Sequence, residues 1–257
     1  MLYKSYDYLA EVYDELMDNV PYDIWSDFII HILKENQIEN GLIADLGCGT
    51  GAMTEILAEH GYDMIGIDNA SSMLEIATDK KFEKDLDILY LLQDIREVEL
   101  YGSVQAIISI CDTLNYILEK EELKRVFQLV EKYLDPGGLF FFDFNTVYKY
   151  ETVIGDRVIA ENREDISFIW ENTYDKEEGI NCYELTLFVK EEEMLYNKYE
   201  EIHYQRGYTL DEIKELIEDA GLEFTEAFED YQRNPVKKKS ERICVIARKA
   251  AKKEEIK

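Results

Sequence analysis

Apolar and polar positions along the chain fall into blocks whose period changes from helical to extended and back. Leu9, Val12, Tyr13 and Leu16 recur at helical spacing, and so do Ile24, Trp25, Phe28, Ile29, Ile32 and Leu33, with Pro21 just ahead of them. Two helices are predicted before residue 40. Leu42, Ile43, Ala44 and Leu46 then make a short strand-like run. It meets three glycines at every second position, Gly47, Gly49 and Gly51, before helical spacing resumes at Met53, Ile56 and Leu57. Further strands are predicted at Met64–Ile67, Ile88–Leu92, Val104–Ile110 and Leu139–Phe144. The uninterrupted apolar run Val104–Ile110 is of the kind a parallel sheet buries on both faces. Ser72-x-x-Glu75 reads as a capping box, and Leu123, Val126, Phe127 and Val130 as a helix face.

From residue 146 the rhythm changes. Ile166-Phe168-Trp170, Tyr183-Leu185-Leu187-Val189 and Ile202-Tyr204 show strand alternation, separated by acidic turns such as Asp175 to Gly179. This predicts an antiparallel sheet inserted into an α/β core. After it, Thr209-x-x-Glu212 opens a helix that stops at Gly221, and strands at Phe224–Tyr231 and Ile243–Ala247 close the chain as a hairpin. The expected organisation is an N-terminal helical arm or lid over residues 1–40 and a core over 41–145 and 207–250. An inserted β subdomain over 146–206 is expected to cover a substrate, and a tail over 251–257 to be frayed.

Composition narrows the reading. A chain of 257 residues with 46% hydrophobic and 33% charged residues is sized for one well-buried α/β domain with an insertion, or for two small domains. No signal-like block stands at the N-terminus, and no apolar run is long enough for a spanning helix. Four cysteines, Cys48, Cys111, Cys182 and Cys244, are scattered without metal spacing, which fits a reduced, cytoplasmic setting; no metal is expected. The net charge of −28 makes nucleic acid and acidic membranes poor partners, because both need basic surface. By the same argument an amine, a sugar or a basic side chain is a better substrate than an acidic small molecule. The basic run Lys237 to Lys239 follows Asn234-Pro235 and reads as a solvated hairpin loop.

The candidate chemistry gathers at predicted strand ends. A strand, a glycine turn and a helix start let a ligand lie against bare backbone beside free N–H groups. Gly47-x-Gly49-x-x-Ala52 also satisfies a dinucleotide pattern, so a nicotinamide cofactor is one reading. Asp45 weighs against it, since its carboxylate would repel a pyrophosphate but would favour the net positive S-adenosylmethionine. Asp68, at the end of the second strand, stands where one carboxylate accepts both hydroxyls of a ribose. Asn69 and Met73 follow it, with Met73 flanking adenine or joining the core. Asp94 ends the third strand region, placed to accept from an adenine amino group with Ile95 against the ring.

Taken together, Asp45 to Gly51, Asp68 with the following Asn-Ala-Ser-Ser-Met, Gln93-Asp94-Ile95 and Leu134 to Gly138 resemble the class I S-adenosylmethionine-dependent methyltransferases. Tyr13-Asp14, the segment Asp112 to Tyr116 and the β insertion are similar to the subgroup of YqeM-like proteins and sugar N,N-dimethyltransferases. The resemblance implies a Rossmann-like, mostly parallel seven-stranded sheet flanked by helices, with an antiparallel final strand. It implies that the glycine turn (Gly47, Cys48, Gly49, Gly51) holds the methionine part of the cofactor, Asp68 the ribose, and Asp94 with Ile95 the adenine. Tyr13 or Trp25 from the arm would meet its remaining polar end, and Cys111 would border it.

The expected reaction is an in-line methyl transfer to nitrogen or oxygen of a small molecule, in which alignment alone lowers the barrier by ~7–11 kcal/mol. A protonated amine acceptor would add the need for a base. His203 and Asp112 are the candidates for that role, with Asn115, Asn145 and Tyr204 as substrate contacts. An oxidoreductase using NAD(P) and a non-catalytic S-adenosylmethionine sensor are the rival readings. A monomer or homodimer is expected.

Overall fold

The computed structural model describes residues 9–192 and 195–251. Residues 1–8 of the expected arm and most of the expected frayed tail therefore lie outside the described residues. The arm is two helices, α1 (Leu9–Leu16) and α2 (Tyr22–Glu35). The core follows as β1 (Gly41–Leu46), α3 (Ala52–Glu59), β2 (Tyr62–Asp68), α4 (Ser71–Glu83), β3 (Ile88–Leu92) and β4 (Val104–Ser109). It continues through α5 (Lys120–Tyr133) and β5 (Leu134–Asn145). The insertion supplies β6 (Val158–Asn162), β7 (Ile166–Asp175), β8 (Ile180–Glu192) and β9 (Leu195–Arg206), and α6 (Leu210–Asp219), β10 (Leu222–Glu229) and β11 (Arg242–Lys249) complete the core.

Seven strands form one sheet in the order β10-β11-β5-β4-β1-β2-β3, and β11 runs antiparallel to both of its neighbours. The insertion is a separate antiparallel sheet, ordered β6-β7-β8-β9. The expected fold class holds. Central strand β5 shows why the sheet sits in the middle of the molecule. Phe140, Phe142 and Phe144 face one apolar cluster with α5 and α6, while Leu139 and Phe141 face another with α2 and α3. Fully burying each such side chain stabilises by roughly 1.5–3 kcal/mol relative to exposure. The order of strands reverses at β1, whose parallel neighbours are β2 on one side and β4 on the other, so a crevice opens at their carboxyl ends, where open α/β sheets take ligands.

Local details depart from the periodicity. Strand β5 begins at Leu134, not Leu139, and carries Pro136-Gly137-Gly138 within it; the register against β4 breaks between Val104 and Ala106. Pro tolerates such a bulge, and a Cβ on Gly138 would lie 2.8 Å from the Asp135 carbonyl oxygen. Helix α4 is capped at Ala70, not through a Ser72 capping box, and its Ala70 N–H donates to Asp68 Oδ1 at 2.9 Å. Strand β6 is an exposed edge strand without alternation, which left no signal in the pattern. The capping box at Thr209 and Glu212 is formed as expected.

Helix α1 joins the two sheets. Leu9 and Val12 pack against Ile166, Leu185 and Leu187 of the insertion. From the same helix Asp14 accepts from Thr50 Oγ1 at 2.5 Å and pairs with Lys80 at 2.9 Å, both on the core. Among the described residues no helix is long and apolar enough to cross a membrane.

Candidate active site

The β1–α3 turn builds the floor of a cleft of about 270 Å³. Its backbone is left-handed at Gly47, Gly49 and Gly51, with φ of 75°, 55° and 80°. The three glycines serve different ends. A Cβ on Gly47 would strike Thr113 Cγ2 at 2.2 Å, and one on Gly51 would meet the Tyr90 hydroxyl at 2.4 Å. At Gly49 nothing lies within 4 Å, so this is the residue whose bare backbone faces open space. Gly51 is buried as the cap of α3 and does not line the cleft, contrary to its expected cofactor contact. Gly47, Cys48 and Gly49 do line it.

Asp45 lies at the end of β1, 1% exposed, against the cleft. Its Oδ2 accepts from Thr54 Oγ1 at 2.6 Å, while Oδ1 is buried without a hydrogen-bond partner. Burial pushes this carboxyl up to about 7, against the opposing pull of Thr54. An unsatisfied carboxylate oxygen costs desolvation energy until a donor arrives, and an ammonium would supply one. On the neighbouring strand end, Asp68 Oδ2 accepts from the Gly49 N–H at 2.9 Å, tying the turn to β2. Burial raises its carboxyl too, opposed by backbone N–H bonds from Ala70 and Gly49. Asn69 and the buried Met73 continue this wall.

Asp94 and Ile95 form the far end of the cleft. Arg96 donates to Asp94 Oδ2 at 2.6 Å and through Nε to Oδ1 at 3.0 Å, and this fork holds the carboxyl below its ordinary range. The arm closes the other side with Tyr13 and Tyr22, and Tyr22 Oη lies 3.6 Å from Cys111 Sγ. Tyr116 lines the cleft after β4, together with Thr113.

The other expected contacts lie elsewhere. Trp25 does not line the cleft; it stacks on Tyr231 with centroids 4.1 Å apart, under the Arg242 guanidinium at 5.3 Å. Asn115 is fully buried as a bolt: its Nδ2 donates to the Asn145 and Arg206 carbonyls at 2.9 and 2.6 Å, and its Oδ1 accepts from the Asn145 N–H. The Asn145 side chain is likewise spent on Tyr150 and Lys149. Tyr204 points outward, 49% exposed, on the face of β9 away from the core. Asp112 stands one layer behind the cleft, accepting from Arg242 at 2.8 Å and from Gln205 at 2.7 Å.

Two arrangements join residues distant in the chain. Buried Asp143 accepts from the N–H groups of Cys111 and Asp112 at 3.1 and 2.8 Å, from Arg242 at 2.8 Å and from the Tyr231 hydroxyl. It thereby holds Cys111 and Asp112 at φ of 55° and 54°, a left-handed pair that costs roughly 1–3 kcal/mol each. Second, the inward face of β9 is buried: Glu201 is 3% exposed and His203 5%. His203 Nε2 lies 3.0 Å from Glu201 Oε2, and Nδ1 lies 3.4 Å from the Tyr116 hydroxyl. His203 thus reaches the cleft through Tyr116, not directly.

A methyltransferase-domain profile matches residues 43–138, the stretch from β1 into the start of β5. The methyltransferase-named YqeM protein of Bacillus subtilis strain 168 is 34% identical over 251 residues, which is 97% of this chain and 98% of that protein. This chain belongs to the same family. The crystal structure of an S-adenosylmethionine-dependent methyltransferase from Clostridium acetobutylicum superposes with a TM-score of 0.88 at 29% identity, covering 96% of this chain and all of that one. The protein is an S-adenosylmethionine-dependent methyltransferase. CalS10, an amino pentose methyltransferase of Micromonospora echinaspora with S-adenosylmethionine bound, shares the fold at a TM-score of 0.74 and 16% identity, covering 97% and 100% of the two chains.

The cleft residues of this methyltransferase fit the cofactor. Asp45 offers a buried, partnerless oxygen to a cation, Gly49 leaves backbone open, Asp68 presents a carboxylate beside the turn, and Met73 and Ile95 give apolar walls.

Proposed function

We propose that this protein methylates the nitrogen of a small amine, with an amino sugar as the favoured class. The observation that carries the reading is the buried chain Glu201–His203–Tyr116, which ends at the cleft. When bound, S-adenosylmethionine supplies a methyl group already activated on a sulfonium. What the protein must still do for an amine is remove a proton, because an ammonium has no lone pair to attack with. With Glu201 facing Nε2, His203 carries its hydrogen there and leaves Nδ1 to accept from Tyr116 Oη. The phenol oxygen accepts the proton of an acceptor N–H as its own proton moves to Nδ1. The 3.4 Å separation is at the long end and is expected to tighten around a substrate.

In this reading Asp45 and the Gly47–Gly49 turn hold the methionine part of the cofactor, Asp68 its ribose, and Ile95 and Met73 its adenine, with Asp94 at the adenine edge. Tyr13 and Tyr22 exclude water from the sulfonium side, where aromatic faces also attract a cation. The insertion, as the carrier of His203, covers the acceptor. Asp112 orients this wall through Arg242 and Gln205 and takes no proton. The fold shared with CalS10, described as an amino pentose methyltransferase, supports the acceptor class.

The test is calorimetric titration with S-adenosylhomocysteine, and separately with NAD, followed by a methyl-transfer screen against primary and secondary amines, amino sugars and alcohols. Tight binding of S-adenosylhomocysteine with turnover of an amine is the expected result. Turnover of alcohols alone sinks the nitrogen assignment, and cofactor binding without turnover of any acceptor favours a sensor.

A further inference from the structure

A second cavity, of about 530 Å³, opens at the carboxyl end of β5 on the far side of Trp25 and Arg242. Acidic side chains outnumber Lys and Arg by 56 to 28 in this chain, yet three cations, Lys149, Lys239 and Arg242, reach this one space. Three acids, Glu229, Asp230 and Glu241, border it as well. Two of these six charges are already committed. Arg242 is held by Asp112 and Asp143, each at 2.8 Å, and Glu229 by Lys237 and Ser240 at 2.5 and 3.0 Å.

Lys149 is a largely desolvated cation of the cavity bonded to an uncharged acceptor. It stands where the chain leaves β5 in a single π-type turn, and its Nζ donates to the neutral amide oxygen of Asn145 at 2.9 Å. Asp112, Asp143 and Glu241 act on it only through space, while burial and the Arg242 charge push it below the ordinary lysine range. An ammonium so placed, desolvated and bonded to an uncharged acceptor, gains most from an incoming anion.

This cavity adjoins the cleft. Tyr22 and Cys111 stand on the cleft side, with Trp25 5.9 Å from Tyr22 between ring centroids and Arg242 bonded to Asp112 on the other. We propose that the cavity binds an anionic oxygen group, phosphate or carboxylate, carried by the methyl acceptor, with Lys149 Nζ as its principal contact and Lys239 at the rim. Asp230 and Glu241 then accept hydroxyl or ammonium hydrogens of the same ligand, so the acceptor combines one anionic group with polar donors. The basic loop around Lys239 acquires a role beyond solvation. The whole-chain charge argues against an acidic acceptor, but here three cations offset three acids, so the acidic excess of the chain is absent from this cavity. The acceptor assignment rests on the methylation reading above; the anion site does not.

The test is calorimetric titration of the full chain, saturated with S-adenosylhomocysteine, with inorganic phosphate, for the wild type, Lys149→Met and Lys149→Arg. Saturable phosphate binding is expected in the wild type, weakened by about tenfold or more in Lys149→Met and largely restored in Lys149→Arg. Unchanged S-adenosylhomocysteine affinity in each variant reports an intact cleft. No saturable binding to the wild type, or equal binding to the wild type and Lys149→Met, overturns the site. A second arm compares turnover of glucosamine and glucosamine 6-phosphate within a panel of amines and their phosphate esters. A preference for the ester that Lys149→Met erases assigns the anion to the acceptor, whereas phosphate binding with no such preference makes the ion a separate ligand and overturns that assignment. Turnover of no amine in the panel counts against the methylation reading and leaves the phosphate result to decide the site.

Discussion

Asp45 and Gly49 carry the most specific consequences at the scale of single residues. The Asp45 carboxyl titrates at about 7 in the folded protein, well above an ordinary carboxyl near 3.9. The folded state therefore holds a proton that the unfolded chain has lost, and stability falls as pH rises between these values. Asp45→Asn should flatten that part of the stability–pH curve, measured by denaturant melts. Cofactor binding has the opposite sign, since an ammonium favours ionised Asp45. S-adenosylhomocysteine affinity should rise from about pH 6 to about pH 8 in the wild type and not in Asp45→Asn. A flat wild-type profile would show that Oδ1 does not meet the ligand. The glycines make a paired prediction. Gly49→Ala has room for its Cβ and should cost only roughly 1–2 kcal/mol for its left-handed backbone, yet weaken S-adenosylhomocysteine binding markedly. Gly47→Ala, driven into Thr113, should lose more stability, read by thermal melting.

Elements carry the coupling between the two sheets. Helix α1 rests on the insertion through Leu9 and Val12, on the core through Asp14, and presents Tyr13 to the cleft. Its N-terminal Leu9 N–H also donates to Glu201 Oε1 at 3.0 Å, so the carboxylate behind His203 is a contact of the arm. Leu187→Ala, fully buried in the insertion, is expected to destabilise by roughly 2–5 kcal/mol. It should also speed hydrogen exchange in α1 and lower S-adenosylhomocysteine affinity, although Leu187 does not line the cleft. Unchanged exchange in α1 would mean that the arm is held by the core alone. In the helical turn after β4, Tyr116→Phe keeps the ring but removes the hydroxyl. Turnover of an amine acceptor should drop by about 10²–10⁴-fold, most severely at low pH where the acceptor is protonated, with cofactor affinity unchanged. An equal loss at all pH values would point to positioning, not proton transfer.

Electrostatics dominates the whole molecule. A net charge of −28 places many carboxylates within a few Debye lengths of one another, and this self-repulsion opposes the compact state. Exposed ion pairs such as Lys190–Asp165 and Lys198–Glu200 contribute little against it. Raising sodium chloride from about 10 mM to about 150 mM shortens the screening length from roughly 30 Å to about 8 Å and should raise Tm. A falling Tm would mean that attractive pairs outweigh the net charge.

The sequence by itself determined what depends on near neighbours. Glycine spacing, a strand end and a helix start are local, so the turn at Gly47 and Gly49 and the carboxylates Asp45, Asp68 and Asp94 were legible, and each lies at the cleft. Side chains two apart on a strand share a face, so alternation alone places His203 with Glu201 and Gln205, and all three are buried. Which face turns inward is not local. The tertiary structure alone decided that β9 buries His203 and exposes Tyr204, since that depends on where the insertion meets the core. It decided too that Trp25 leaves the cleft for Tyr231, and that Asn115 and Asn145 become backbone bolts. Arg242 reaches Asp112 and Asp143 across 130 and 99 positions of chain, and Tyr116 reaches His203 across 87. Pairings that distant are set by the closing of the sheet around its core, and no window of sequence contains both partners.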